Sequence, residues 1–525
     1  MAFKNPFRRS GAMQVPTANG TSRAAVIPER RADNSISIQP TPAKRPPHSG
    51  MRIFQAAGTG RMESSWSATP TTVDSWIYQH WSSLVARSRE QAENADHYRK
   101  FKQLVRDNVA GPKGFDLQAA VKDPNGAPDV LASSAIEDAW ARFRKKGNFD
   151  VTGTYSGADA DRLVATSTAV DGEIIAIKRY GRDLNEFGFA IQFIDPVLLN
   201  PTHFESLGNG NFVRHGIEFN SNGKAVAYYF RKFDERQVGY VQTYGAGSCE
   251  RIPAENVIHI FLPEILNQKR GLPWGRTSLS RLRMLSAFED AAITNARVGA
   301  AKMGFFKDLD ANNDDEEDNI PMDAEAGVFE NIGNREFVDW SPQFPDQSID
   351  PFTKTILRSI SSGLGVSYNN LASDLTSVNF SSIRQGALDE REVWKGIQEW
   401  QIEWWCIPVF EAWLERALLS GSITVMGKPL KFERLDKYKG VTFQGRRWAW
   451  IDPSSEMAAN EKAIALRIKS RSEVVRETTT RDPVDVWEEC AREDKEMAAL
   501  GVKPLPTPGS PAPTPPPPDN SNQNA

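Results

Sequence analysis

Cysteine is nearly absent from this chain: Cys249, Cys406 and Cys490 are the three among 525 residues. They stand too far apart in sequence to frame a disulfide-stapled domain or a thiolate cage for a metal, and such sparing use suits a reducing compartment. The six histidines are scattered, with none at the spacing of metal ligands. No uninterrupted apolar run reaches the roughly 18 residues a membrane helix requires, and the first residues lack the apolar core of a signal peptide. The expectation is a soluble protein made in the cytoplasm, with no membrane partner. A basic excess is missing as well. Lys and Arg number 63 against 67 Asp and Glu, a formal net charge of −4. Proteins that grip DNA draw affinity from phosphate neutralisation and carry many cations. This chain can therefore meet DNA only loosely or through a few residues.

Signs of catalysis are missing too. The nearest approach to a phosphate-binding loop, GSITVMGKP at 421–429, has one residue too many between its glycines and Pro429 where Ser or Thr must ligate magnesium. It reads as a turn between a helix and a strand. The acidic stretch DLDANNDDEED at 308–318 begins like a calcium loop at Asp308, Asp310 and Asn312. It lacks the glycine at the sixth position and places Asn319 where a bidentate Glu belongs, so it reads as a solvated loop. Neither a GxSxG elbow nor an HExxH pair occurs, and His259, inside the apolar run VIHIF, reads as a packed strand residue. The expectation is no enzyme, no cofactor and no metal site.

What is present is an ordinary globular composition, 40% hydrophobic and 25% charged, long enough for several domains and a sizeable core. Residues 1–70 are rich in Pro, Ser, Thr and Ala without sustained apolar periodicity, the mark of disorder. The first fifty hold eight Lys and Arg against Glu29 and Asp33, a basic arm that is either a solvated tail or a dock for an acidic partner. The tail from Lys503 is Pro-rich and reads as extended or disordered. Between them, 72–110 is helical by its spacing of Trp76, Trp81, Leu84 and Val85. Short strands follow from about 160 to 262, with Asn222-Gly223 as a hairpin turn. A long helix runs from about Arg276 to Phe306, spanning about 45 Å, and two short strands lie near Val328 and Phe337. Asp350-Pro351 restarts a helix that ends around Gly363 and Gly365. Another helix covers 380–420, kinked or divided at Pro408. Two last helices are announced by Asp452-Pro453 and Asp482-Pro483.

Several strings in fixed order resemble the portal proteins of lambda-like tailed bacteriophages. They are DGE (171–173), IQFIDPVLL (191–199), GIEFNSNGKAVAYYF (216–230), IPAENVIHIF (252–261), NQKRGLPWGRTSL (267–279), GLGVSYNNLASDLTSVNFSSIR (363–384) and IDPSSEMAA (451–459). In the sixth, Phe380 stands where the family usually has Tyr. The resemblance covers roughly 72–502. It implies an α+β portal fold, mainly helical with a β-rich wing, that assembles head to tail into a ring of about twelve subunits around a DNA channel. The layout it implies is a disordered arm at 1–70, a wing at 71–275, a stem helix at 276–306 and a clip at 307–350. A second stem helix at 351–366, a channel loop at 367–381, a wing return helix and strands at 382–450, crown helices at 451–502 and a tail at 503–525 complete it.

The implied role is a conduit at the capsid vertex of the virion, assembled in the host bacterial cytoplasm, that nucleates procapsid assembly and through which double-stranded DNA is packaged and ejected. Its implied partners are further copies of itself, the terminase large subunit, major capsid and scaffolding proteins, and head-tail joining proteins. A nuclease or packaging ATPase, and a capsid-associated module without a ring, are the competing classes; the missing nucleotide and metal motifs speak against the first. Asn369, Asn370, Ser373, Asp374, Thr376, Ser377 and Asn379 are the candidate DNA-facing residues, or else an ordinary surface loop; Asp374 either adds repulsion or caps a local turn. Neutral polar contacts suit a moving duplex, because each Lys or Arg on a phosphate would hold it in place. Asp314, Asp315, Glu316 and Glu317 are candidates for docking the packaging motor through its basic surface. Trp394, Trp400, Trp404, Trp405 and Trp413 crowd one helix, as a subunit interface or as plain core.

Overall fold

The computed structural model of the chain describes residues 69–208, 210–232, 249–300, 304–308, 335–339, 349–376 and 379–502. Its helices and strands all lie in the compact unit Thr71–Ala525. Thr72 caps α1 (Val73–Asn94), where Val73, Ile77, Trp81 and Val85 recur every four residues and are buried along one stripe. α2 (Asp96–Val105) buries Tyr98, Phe101 and Val105, and its last turn widens over Arg106–Ala110 before Gly111, at φ +67°, ends it. β1 (Asp116–Ala119) and α3 (Val130–Phe143) follow. α4 (Gly157–Asp171) opens with a reciprocal capping pair, Ser156 and Asp159, and closes at Gly172 in the left-handed region.

Two antiparallel sheets come next. The first orders β3 (Phe189–Ile194), β2 (Glu173–Tyr180) and β9 (Val257–Phe261); the second is a meander of β4 (Glu205–Ser206), β5 (Phe212–Arg214), β6 (Ile217–Phe219), β7 (Ala225–Arg231) and β8 (Cys249–Pro253). β2 is buried on both faces, and its alternation sorts the side chains. Ile174 and Ala176 enter the main helical core, while Ile175 and Ile177 pack with Leu199 and with Ile217 and Phe230 of the second sheet. The hairpin at Asn222-Gly223 forms as expected, with Gly223 at φ +79°.

α5 (Leu279–Ala300) is shorter than the periodicity suggested. It begins after a tight turn at Trp274–Thr277 and does not run to Phe306, because β10 (Gly304–Asp308) pairs with β11 (Arg335–Asp339), placing Phe305 opposite Val338. The strand expected near Phe337 is thus present; that near Val328 lies outside the described residues. α6 (Ile349–Leu364) ends in a Schellman cap, with Gly365 at φ +70° and the Val366 amide donating to Ser361 O at 3.1 Å. α7 (Tyr368–Ala372) and α8 (Phe380–Gln401) follow, then a wide turn over Ile402–Cys406 and α9 (Ile407–Leu419). Pro408 explains the wide turn: it has no amide to donate to residue 404, and the Ile407 amide reaches back five residues to Ile402 O.

β12 (Thr424–Val425) and β13 (Lys428–Pro429) form a tight hairpin, α10 (Leu435–Tyr438) follows, and β14 (Val441–Gln444) pairs with β1. Three helices end the described chain, α11 (Pro453–Ala465), α12 (Arg471–Thr478) and α13 (Pro483–Ala499). The two Asp-Pro starts are as read. Missed were α12, which opens with a Ser470–Glu473 capping pair, and β1, α3, α4, β4, β5, β8, α10 and α7, the last of these inside the expected loop 367–381; the expected strand region begins at Glu173, not near 160.

The tightest approach in the fold is glycine against glycine. A Cβ on Gly271 would lie 2.0 Å from Gly172 O, and one on Gly172 only 2.3 Å from the Leu272 carbonyl carbon. Gly172 also needs φ +89°. Gly271→Ala must push two backbones apart and should lower stability by about 3 kcal/mol or more, which chemical denaturation will read; a loss under about 1 kcal/mol would mean that this junction yields easily.

Candidate functional site

Arg270 is fully buried behind that glycine pair. Its Nε donates to Glu173 Oε1 at 2.7 Å, and Nη1 and Nη2 donate to the carbonyls of Leu199 (3.1 Å), His215 (3.3 Å) and Pro196 (3.1 Å). The guanidinium lies 4.3 Å from the Trp81 ring, whose Nε1 donates to Gly271 O. Glu173 Oε2 accepts from His259 Nε2 at 3.0 Å and from the Gly271 amide at 2.6 Å. Burial alone would raise the Glu173 pKa, but Arg270 and His259 pull it down to about 2. A second knot adjoins it. Arg89 holds Asp171 and Asp195 in bidentate pairs at 2.8–3.1 Å. Asp74 takes Lys269 Nζ at 2.9 Å and faces His215 Nε2 at 3.4 Å.

The segment after α6 is polar but not free. Ser367 caps α7 by accepting from the Asn370 amide, and Leu371 anchors α7 in the core. Asn370 Nδ2 donates to Glu390 Oε2 on α8 at 2.6 Å. Asp374 closes a turn: Oδ1 accepts from the Thr376 amide (3.0 Å) and hydroxyl (2.6 Å), and Oδ2 accepts from Tyr368 Oη (2.8 Å) with Lys354 Nζ at 3.6 Å. Thr376 above all, then Tyr368 and Lys354, hold its carboxyl well below the usual carboxylate range. Arg358 covers the Tyr368 ring at 5.3 Å. Gly363 is where α6 crosses the start of α5: Thr277 and Ser278 donate to the carbonyls of Gly363 and Ile360, and a Cβ there would meet Ser278 Oγ at 2.3 Å.

Residues 59–398 match the family described as phage portal protein, lambda family. Over 502 residues the chain is 31% identical to a probable portal protein of Halomonas phage phiHAP-1, covering 92% of this chain and 94% of the relative. Portal protein B of Escherichia phage lambda is 22% identical, covering 85% of this chain and 90% of the relative. Among solved structures, a chain from the neck of a native gene transfer agent particle is 11% identical, with 80% of this chain and 99% of that one covered and a TM-score of 0.40.

The chain belongs to the lambda family of phage portal proteins.

That membership fits where the family-like strings meet. DGE, IDP, VIHIF and QKRGLPWG, up to 100 residues apart, supply Asp171, Glu173, Asp195, His259 and Arg270 to the buried knots. Among the expected channel residues, Asn370, Asp374 and Thr376 are tied by hydrogen bonds, and Asn379 caps α8 by accepting from the Ser382 amide. Asn369 is half-buried and Ser373 exposed; Ser377 lies outside the described residues. Asp374 is thus the turn cap, one of the two alternatives its sequence left open. Sequence reading overlooked Lys354 and Arg358, one turn apart on α6, which reach forward to Asp374 and Tyr368, and Glu390. GSITVMGKP is a helix cap followed by the β12–β13 hairpin.

The interface expectation for tryptophans needs correction. Trp394, Trp400 and Trp405 are 3%, 9% and 1% exposed within the single chain, and Trp413 is fully buried. They pack against α3, α4 and the sheet, with Trp405 Nε1 donating to Asp161 at 2.9 Å, so no surface remains for a neighbour. Trp404 is half-buried against Phe261. Asp314, Asp315, Glu316 and Glu317 lie outside the described residues. Among the described residues no group of His, Cys, Asp and Glu could hold a metal, and no helix is long and apolar enough to cross a membrane.

Because the folded Glu173 carboxyl is depressed, its contribution to stability is present above the unfolded value near 4.5 and lost as pH falls toward about 2. Glu173→Gln should lower stability at neutral pH by about 3–5 kcal/mol, since it strands a buried guanidinium. It should also flatten the acid limb of the stability profile below pH 4.5; a limb parallel to wild type would remove Glu173 as its source.

Proposed function

We propose that this chain is the repeating subunit of a ring of about twelve copies at the capsid vertex, through which double-stranded DNA enters and leaves. The ring nucleates procapsid assembly, docks the terminase large subunit and later the head-tail joining proteins, and contacts the major capsid and scaffolding proteins. In this reading the two sheets and α1–α4 belong to the wing, α5 and α6 to the stem, and residues 307–350 to the clip that the motor docks on. Residues 367–381 face the channel, α8 and α9 return through the wing, and α11–α13 form the crown. Head-to-tail closure requires an apolar surface on each copy. Met284, Ile293 and Phe352 on α5 and α6, and Leu466, Ile468 and Trp487 near the C-terminus, are exposed in the single chain and supply it in place of the tryptophans.

One observation carries the channel assignment. Between Arg358 and Arg384 the chain holds no Lys or Arg and a single carboxylate, Asp374, whose charge is answered locally by Thr376, Tyr368 and Lys354. Such a surface neither binds phosphates firmly nor repels them, which is what a sliding duplex requires. The role is structural; hydrolysis belongs to a separate motor chain.

Electron microscopy of the purified protein should show annular particles with a central hole, and discrete monomers at high concentration would reject the ring. The same preparation should hydrolyse no ATP; turnover that vanishes with a point mutation in this chain would overturn the structural role. Leu375, 62% exposed and beside Asp374, is the site for testing friction. Leu375→Lys should leave rings intact yet stall DNA packaging, more severely at low salt where phosphate contacts strengthen. Normal packaging at low salt would dismiss residues 367–381 as the DNA-facing segment. Asn370→Lys is the weaker probe, because Glu390 would neutralise the new ammonium.

A further inference from the structure

Positive charge is concentrated elsewhere, where the wide turn Arg106–Ala110, α4, α8 and the strand exit at 445–448 come together. Arg446 reaches across and donates through Nη1 to Asp107 O and to Asn108 Oδ1, and Trp448 Nε1 donates to the same Oδ1 at 3.0 Å. The Trp448 indole carries two guanidiniums, Arg446 at 6.0 Å and Arg391 at 5.9 Å from its centroid. Among the described residues neither has a carboxylate within ion-pair distance: Arg446 is held by carbonyl, amide and π-electron density, and Arg391 by the Trp448 ring with Glu456 acting from farther off. Burial and the neighbouring Arg446 both push the Arg391 pKa down, against Glu456.

From Arg446 an open groove continues past Arg106 and Arg162 to Thr154, Tyr155 and Thr166. Asp107 pairs with Arg106 at 2.8 Å and Asp159 with Arg162. Three guanidiniums therefore line the groove against two carboxylates, which leaves Arg446 as its unpaired positive charge. Crowding like charges on one surface costs free energy that a bound anion would return. The groove's mixture of arginines with the Thr154 and Tyr155 hydroxyls decides the class of anion: these are the side chains that bind backbone phosphates, positioning a duplex without reading its sequence.

We propose that this groove binds the phosphodiester backbone of double-stranded DNA, a static contact separate from the neutral 359–383 segment. It stands whether or not the ring forms. Where that segment lets a duplex slide, the arginine groove holds one, through the few residues that a chain of net charge −4 can devote to it.

The test uses the full-length protein and a fluorescent duplex of about 24 base pairs, with affinity measured by anisotropy from about 50 to 200 mM salt. Binding should weaken steeply with salt. Arg106→Gln/Arg162→Gln, whose side chains are peripheral, should bind at least tenfold more weakly. Its log–log salt slope should be shallower by about 2, since each phosphate left without its arginine removes about 0.9. Arg446→Gln, on the same groove, gives an independent variant should the first pair disturb folding, which thermal melting and electron microscopy of the particles will report. Unchanged affinity and slope in both variants would overturn the proposal. So would equally tight, arginine-dependent binding of polyglutamate, which would make the groove an acidic-protein dock. Inorganic phosphate separates the remaining source: if it raises the melting temperature of wild type but not of the double variant while duplex binding is unaffected, the groove takes free phosphate and not DNA.

Discussion

The packing of the two sheets against the helices depends on the buried Arg270–Glu173 pair. Removing two charges from water is costly, and a buried ion pair on its own is weak evidence for stability. Here the cost is met by saturation. Arg270 spends its donors on one carboxylate and three carbonyls, and Glu173 accepts from a guanidinium, an imidazole and a backbone amide. Each partner lies on a different part of the chain: β2, β9, residues 196–199, the left-handed His215 and the turn before α5. Wrong packing of any of them would leave a charge unanswered in the interior. The network therefore selects one arrangement, a role in which a buried pair is more effective than in raising stability.

The glycine pair follows from the same constraint. Glu173 accepts from the Gly271 amide at 2.6 Å, so the two backbones must nearly touch, and only the absence of both Cβ atoms permits it. Trp81 then closes the site from α1, stacking on the guanidinium and donating to Gly271 O. α5 starts eight residues beyond Gly271, and the residues just before it, Thr277 and Ser278, hold α6. A single buried centre thereby orients the sheets, α1 and the α5–α6 pair.

Legibility in the sequence followed the range of the forces. Caps and turns, set by neighbours, were readable: Asn222-Gly223, Asp452-Pro453, Asp482-Pro483 and the stop at Gly365 all form. The long-range motifs were visible as strings, but the fact that Arg270 and Glu173 meet was not, since nothing local links residues 97 apart. The run to Phe306 failed because pairing of Phe305 with Val338 outweighs helical periodicity. Tryptophans on α8, α9 and the wide turn between them looked like an interface because a cluster of aromatic side chains suits either burial within one chain or burial between two. Only the positions of α3 and α4, which the sequence did not announce, decide between them.

Charge pairing on α6 shows how local electrostatics shape the segment that follows it. Lys354 lies within reach of both Asp350, 2.9 Å away, and Asp374, and Arg358 sits on Tyr368, which itself donates to Asp374. The cations that answer the segment's one carboxylate thus stand at its own base, not on a remote domain. Screening extinguishes exposed charges beyond about 8–10 Å at physiological salt, so neutrality borrowed from afar would vary with ionic strength and with the position of other parts. Neutrality built from residues 350–376, with Asp350 and Asp374 against Lys354 and Arg358, is local to the segment. A polar segment whose one acid is answered by a capped turn and by a lysine from the preceding helix keeps its charge balance local.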